Sequence, residues 1–240
     1  MHLLLLAAMT FGAAYIRGLT GFGMAIILVP LFGLIVKPGD AVVIAILLQV
    51  LIGPVGLKVI YADAHRQSAL MIAAFAMLAP PLGIWLLMHT SPDLARLMIA
   101  GIAIGAFVLV LLPQRGQLRP GPKETALTGI ASGVLTGFAA MPGPPVVPFY
   151  LRQPIPPTEA RASMMLVFFA TAIAGTISSF ALGLANARLL WLSLLLFPSV
   201  LAGNWLGAKS FGRVPPNVWR SFVAAVLGVA GLSAVLRLLN

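Results

Sequence analysis

Charge is scarce in this 240-residue chain: charged residues make up 8% of it, whereas hydrophobic residues make up 60%. Soluble domains are about a quarter charged, so this composition cannot cover a surface that faces water. The few charges leave long uncharged stretches at 67–92, 97–114, 125–151 and 162–187. A membrane-spanning helix needs about 20 mostly apolar residues. The sequence therefore predicts an all-α polytopic membrane protein.

Cysteine is absent, which excludes disulfides, thiolate metal sites and persulfide chemistry. The three histidines, His2, His65 and His89, lie near the ends of apolar stretches, and the chain has no HExxH pattern. An intramembrane enzyme would need a nucleophile beside a histidine, or a metal cluster. We therefore expect no enzyme, no metal and no cofactor. A non-transporting membrane scaffold or assembly protein is the alternative that these absences leave open.

Acidic residues are missing from the middle of every apolar stretch. The five acids, Asp40, Asp63, Asp93, Glu124 and Glu159, all lie at segment ends. Proton-coupled carriers usually have a carboxylate or histidine inside the membrane. A buried proton relay is therefore disfavoured, and coupling by other means stays open.

Basic residues dominate what charge there is, and the formal net charge is +10. In a soluble chain this would suggest nucleic acid. Here the basic residues lie between apolar segments, where the positive-inside rule explains them. We therefore expect a lipid bilayer as the surroundings and no nucleic acid partner. The chain is therefore expected to be a multi-pass membrane protein.

Short motifs recur in the same order in the two halves of the chain, which indicates a duplication. "LTGF" occurs at 19–22 and 135–138, "GIW" at 83–85 is echoed by "GNW" at 203–205, and "SPDLARL" at 91–97 is echoed by "PPNVWRS" at 215–221. The only long polar stretch lies between the two copies. We therefore predict a first transmembrane repeat at 1–112, a basic linker at 113–124 and a second transmembrane repeat at 125–240.

The first apolar segment of each half is long and is interrupted by glycine or proline, so it could cross once or fold back as a hairpin. With single crossings, the basic residues divide seven against seven between the two sides; with hairpins, they divide ten against four. The positive-inside rule predicts such an asymmetry. The tally favours inverted repeats, each with a broken or hairpin first segment plus three spanning helices, and with both chain termini outside.

The interruptions also predict where a substrate binds. A broken helix is tolerated in lipid only where it is buried in protein or lines a cavity, and matching breaks in two halves point to a transporter's midplane site. Helix N-termini at the breaks would offer N–H donors to an anion, and Arg17, a charge next to the first break, is a candidate contact. The predicted site comprises Arg17, Thr20, Gly21, Phe22, Gly23, Thr136, Gly137, Phe138, Met141, Gly143, Pro144 and Asn204. The alternative is that the glycines serve close helix packing.

Two segments carry a resemblance to a known family. "GLTGFGMAIILVPLFGLIVKPGDAVVIAILL" and "GVLTGFAAMPGPPVVPFYLRQPIPPTEARASMM" resemble the signature segments of the TauE/SafE family of sulfite and organosulfonate exporters. The resemblance implies a duplicated transporter of the bacterial plasma membrane that moves a small sulfur-containing or organic anion. The "PGPP" at 142–145 departs from the family pattern. The sequence leaves open the exact substrate, the direction of transport, and the oligomeric state, a homo-oligomer included.

Overall fold

The computed structural model describes residues 2–111, 120–210 and 213, and within these ranges every regular element is an α-helix. The predicted all-α class is confirmed. Among the described residues, five helices are long and apolar enough to cross a membrane, or six if one bent pair counts as a span. The apolar run at 217–239, which the sequence predicts as the last span of the second repeat, lies outside the described residues, as does most of the linker.

Eleven helices make up the described part of the chain. They are α1 (His2–Thr20), α2 (Met24–Phe32), α3 (Pro38–Ile52), α4 (Leu57–Asp63), α5 (Arg66–Leu78), α6 (Pro80–Met88), α7 (Pro92–Leu111), α8 (Pro122–Ala139), α9 (Gly143–Leu151), α10 (Pro157–Ala181) and α11 (Ala187–Lys209). Many begin with a proline, whose fixed φ suits the first helical position and whose missing N–H costs nothing there. Most prolines that look like breaks in the sequence therefore mark helix starts.

In each half, the first helix packs against the third membrane segment of the other half. These third segments are α11 in the second half and α5–α6 in the first. In the first such pair, α1 runs parallel to α11, since Gly203 lies against Phe11 and Gly207 lies against Tyr15. In the second, α8 runs parallel to the α5–α6 span, since Gly129 lies against Ile72. Glycines let the two backbones approach closely, as small residues do in membrane helices.

Helices α3 and α10, which follow the first segment in their respective halves, run antiparallel. Gly39 at the start of α3 lies beside Leu184, just after the end of α10, whereas Gly53 at the end of α3 lies under the ring of Phe169 in mid-α10. Corresponding helices thus point in opposite directions. The inverted relation of the complete halves stays a prediction.

These directions make both first segments hairpins. Since α1 is parallel to α11, it begins at the end of the bundle where α11 and α3 begin, so α2 must bring the chain back to that end. In the second half α8 begins where α5 begins. Helix α10 begins there too, because the N–H of His65, next to α5, donates to Ser163 Oγ of α10 at 2.8 Å. Helix α9 is therefore the returning arm of the second hairpin.

The apolar run at 41–60 is long enough in the sequence to predict one span, but the structure divides it. Helix α3 ends at Ile52, and α4 begins at Leu57 with its axis turned by 83°. The turn contains Gly53, Pro54 and Gly56, and Gly56 has φ +76°, a left-handed conformation that suits glycine. The physical reason for the difference is this local run of turn residues, which an apolar count over twenty residues does not register.

Candidate functional site

The two hairpin turns meet at one cavity in the middle of the bundle. It is lined by Arg17, Phe22, Gly23, Met24, Ala25, Ile26, Gln49, Met141, Pro142, Gly143, Phe168 and Phe169. Phe168 and Phe169 lie halfway along the 25-residue α10, so the cavity lies midway between the ends of that membrane-spanning helix. Its volume is about 30 Å³, which is room for roughly two water molecules.

The first hairpin turn is shaped by two glycines and a threonine. Gly21 and Gly23 have φ +85° and +89°, which non-glycine residues rarely adopt. The hydroxyl of Thr20 lies 2.8 Å from the carbonyl of Ile16 and accepts the N–H of Phe22 at 3.3 Å. The hydroxyl of Thr20 therefore closes the turn, and the turn places the start of α2 against the cavity.

Helix α2 presents its N-terminus to this cavity. The first N–H groups of a helix have no partner within the helix, and Met24, Ala25 and Ile26, the first three residues of α2, all line the cavity. The helix dipole adds partial positive charge at this end. This end of the cavity therefore suits an anion.

The second hairpin turn is built differently and offers fewer donors. Helix α8 ends at Ala139, and Ala140 takes φ +57° without being glycine. The chain then runs back along α8, because the hydroxyl of Ser132 donates to the carbonyl of Pro142 at 3.0 Å. Helix α9 begins with Gly143-Pro144-Pro145, and proline has no N–H. Two of the N–H groups that a helix start normally presents are therefore missing here.

Gln49 of α3 joins the second turn to the cavity. Its amide donates to the carbonyl of Ala140 at 3.0 Å and to that of Ala45 at 3.2 Å. Gln49 is not one of the twelve predicted site residues. Its signal is that it is the single polar residue between Asp40 and Lys58, in a helix that is otherwise apolar. Phe168 and Phe169 gave no signal, because aromatic residues in a membrane helix are common.

Among the described residues, Arg17 is the only charged one that lines the cavity. It is partly buried, and its Nη1 donates to Asn204 Oδ1 of α11 at 2.7 Å. A second arginine, Arg161 of α10, lies next to the same hairpin turn, where it donates to the carbonyl of Gly18 at 2.9 Å. Its side chain occupies the room that a Cβ on Gly21 would need. Two cations thus border the first turn, one facing the cavity and one behind the turn.

The structure brings part of the predicted site together. Of the twelve predicted residues, those that line the cavity are Arg17, Phe22, Gly23, Met141 and Gly143. Thr20 and Gly21 shape the first turn, and Asn204 positions Arg17. The other four predicted residues, which are Pro144 and three residues of the second "LTGF", do not line the cavity.

The second "LTGF" remains helical and faces other helices. The hydroxyl of Thr136 bonds back to Ser132, a Cβ on Gly137 would fall on the carbonyl of Pro80, and Phe138 is buried in the core. Pro144 is not among the cavity-lining residues. The two copies already differ at their shared glycine: Gly21 leaves the helix with φ +85°, whereas Gly137 stays inside α8 and packs on the backbone of Pro80 in α6. In the second copy the turn comes later, at Ala140.

Two comparisons with known proteins point to the same family. A family model described as sulfite exporter TauE/SafE matches residues 6–234. The chain is also 26% identical over 242 residues to a protein of Cupriavidus necator named "Probable sulfite/organosulfonate exporter TauE", with 98% of this chain and 94% of that protein covered. No solved structure matches the chain.

Proposed function

Since the chain belongs to the sulfite exporter TauE/SafE family, we propose that it carries sulfite, an organosulfonate or a related small anion across the bacterial inner membrane. The family membership and the apolar helices make it a multi-pass membrane transporter and not an enzyme. The substrate class follows the name of the Cupriavidus relative. What this chain adds is a cavity whose chemistry suits an anion.

One observation carries the binding site: the N-terminus of α2 and the guanidinium of Arg17 border the same mid-bundle cavity. An anion that leaves water must exchange its hydration shell for other donors. Free N–H groups at a helix start provide such donors, and a guanidinium adds a full positive charge with planar donors that match oxyanions. We assign the negative oxygens to α2 and Arg17, and the less polar part of the substrate to the side of Met141, Phe168 and Phe169.

The cavity volume indicates a closed form. A space of about 30 Å³ holds roughly two waters, whereas sulfite alone has four heavy atoms. Binding therefore requires the cavity to widen, and the hairpin turns are the elements placed to move apart. We assign the described conformation to a closed state of the transport cycle.

We further propose that residues 1–112 and 125–240 are inverted repeats joined by the linker. The antiparallel directions of α3 and α10 support this, as do the two hairpins that enter from opposite ends. In such repeats, alternating access is largely a rocking of one repeat against the other around a fixed site. The basic linker would face the cytoplasm.

Thiol labelling tests the sidedness. We expect a single cysteine at Gln67, beside the start of α5, to react with an impermeant reagent only after the cell is opened, and one at Ser91, before α7, to react in intact cells. Both positions are exposed, and the chain has no native cysteine. The proposal also places Arg119 in the cytoplasm and Asn240 outside, both beyond the described residues. The reverse pattern at Gln67 and Ser91 would contradict this sidedness.

A flux screen on purified, reconstituted protein tests the function. Vesicles containing the protein should release loaded sulfite, thiosulfate, sulfoacetate or a small carboxylate faster than protein-free vesicles, and one of these should compete with the others. The Arg17→Gln protein in the same vesicles is the matched control. A non-transporting scaffold would give the protein-free rate with every anion in the screen, and that result would reject transport of these anions.

A further inference from the structure

A second concave surface lies outside the cavity, between α4, α10 and α11. It is an open groove of about 650 Å³. It is lined by Val55, Gly56, Val59, Ile60, Arg161, Met165, Leu201, Ala202, Asn204, Trp205 and Ala208. Its walls are mostly aliphatic, and Val59 and Trp205 are 65% and 57% exposed. The bend between α3 and α4 creates it, because α4 leaves the bundle at that point.

The groove lies towards the basic end of the bundle, and none of the described residues in its lining is acidic. Arg161 forms part of its wall. Lys209, one residue beyond the lining, places its Nζ 3.6 Å from the ring centroid of Trp205. A cation over an indole ring at the end of a membrane helix is typical of the interface between acyl chains and headgroups. The groove thus combines an apolar floor with positive charge at its mouth.

We propose that this groove binds an anionic phospholipid of the linker-side leaflet. An acyl chain lies along Val55, Val59 and Leu201, and the headgroup phosphate binds Lys209 at the mouth. Charge complementarity decides the occupant, since basic pockets between membrane helices select anionic headgroups. This site is separate from the transported anion and does not depend on its identity.

The bound lipid would touch the outer side of the cavity wall. Asn204 lines the groove and also accepts the bond from Arg17, which lines the cavity. Arg161 lines the groove and packs behind Gly21 in the first hairpin turn. A lipid in the groove therefore holds in place the helices that position Arg17, so we expect occupancy to favour the closed cavity.

Native mass spectrometry of the purified full chain tests this directly. Protein in a mild detergent is supplied with phosphatidylglycerol or with phosphatidylcholine of the same acyl chains, and the bound lipids are counted. The unchanged protein should retain phosphatidylglycerol in preference. Lys209→Gln should reduce that preference about five-fold, as expected for one basic residue facing an anionic headgroup.

A groove-filling variant separates the site from general lipid adhesion. Ala202→Phe places a ring in the groove and should abolish the retained phosphatidylglycerol. Its matched control is Ala74→Phe, an exposed alanine on α5 that is not among the groove-lining residues, and it should retain the lipid. Equal retention of both lipids by the unchanged protein, or full retention by Ala202→Phe, would overturn the proposal. The proposal would also be overturned if Ala202→Phe changed the oligomeric mass of the protein but kept the bound lipid, because the groove would then hold a second copy of the chain.

Discussion

Arg17→Gln should leave the protein folded in the membrane but weaken anion binding about 10- to 100-fold, the cost of one lost hydrogen bond to a charged group. Within the described part of the chain, Arg17 is the only charged residue that lines the cavity, and Arg161 lies behind the turn, where it packs against Gly21. Glutamine keeps a donor for Asn204, which limits the structural cost. Binding of sulfite by calorimetry and efflux from vesicles are the two measurements.

Two control variants separate charge from positioning. Arg17→Lys keeps the charge but loses the planar donors, so it should retain part of the affinity. Asn204→Ala keeps the charge but removes the partner at 2.7 Å, so it should weaken binding less than Arg17→Gln does. If Arg17→Gln bound and exported sulfite as well as the unchanged protein, the site assigned to Arg17 and α2 would be wrong.

Gly137→Val is expected to destabilise the folded protein strongly. A Cβ at this position would fall on the backbone carbonyl of Pro80 and crowd the backbone of Gly83 and Ile84, and backbone cannot step aside as a flexible side chain does. Overpacked sites commonly lose about 1–3 kcal/mol and occasionally more, and we expect this contact at or above the upper end. Thermal unfolding in detergent and the monodisperse yield on gel filtration measure the loss.

The matched control lies on another membrane helix. Gly105 of α7 has no described atom within 4 Å of an added Cβ and is exposed, so Gly105→Val should fold with nearly unchanged stability. The two variants differ only in what meets the new side chain. If Gly137→Val were as stable as Gly105→Val, then α8 would not be packed on α6 as described.

Sequence patterns predicted the membrane class because composition alone decides it, and they predicted a break at Gly21 and Gly23 because glycine interrupts an apolar helix there, while a hairpin and a single broken helix both stayed open. They overextended the symmetry to the second turn. The second "LTGF" stays inside α8, where Gly137 packs on the backbone of α6, whereas Gly21 leaves the helix. A motif match compares letters and gives no information on the helices that pack against them.

Some residues that line the cavity could not be predicted from local sequence patterns. Gln49 and Phe168 come from helices far along the chain from either turn, and only the packing of α3 against α10 brings them there. Thr136 shows the converse, because its residue type suits an anion site but its hydroxyl is satisfied by Ser132 four residues earlier. Chemistry can be read from residue types, whereas proximity requires the packing of distant helices.

The pairing of α1 with α11 has a consequence for synthesis of the chain. Arg17 and Asn204 are 187 residues apart, so at ribosomal speed the first helix waits roughly 10–40 s for its partner to be made. Helix α8, in contrast, emerges after α5 and α6 are complete. During that wait Gly18 and the guanidinium of Arg17, both of which contact α11 in the folded protein, have no partner there. We therefore expect the insertion machinery to protect α1 until α11 is made. In a chain that stops before α11, Arg17 would lack Asn204 as its partner, and we expect quality-control proteases to recognise this exposed charge.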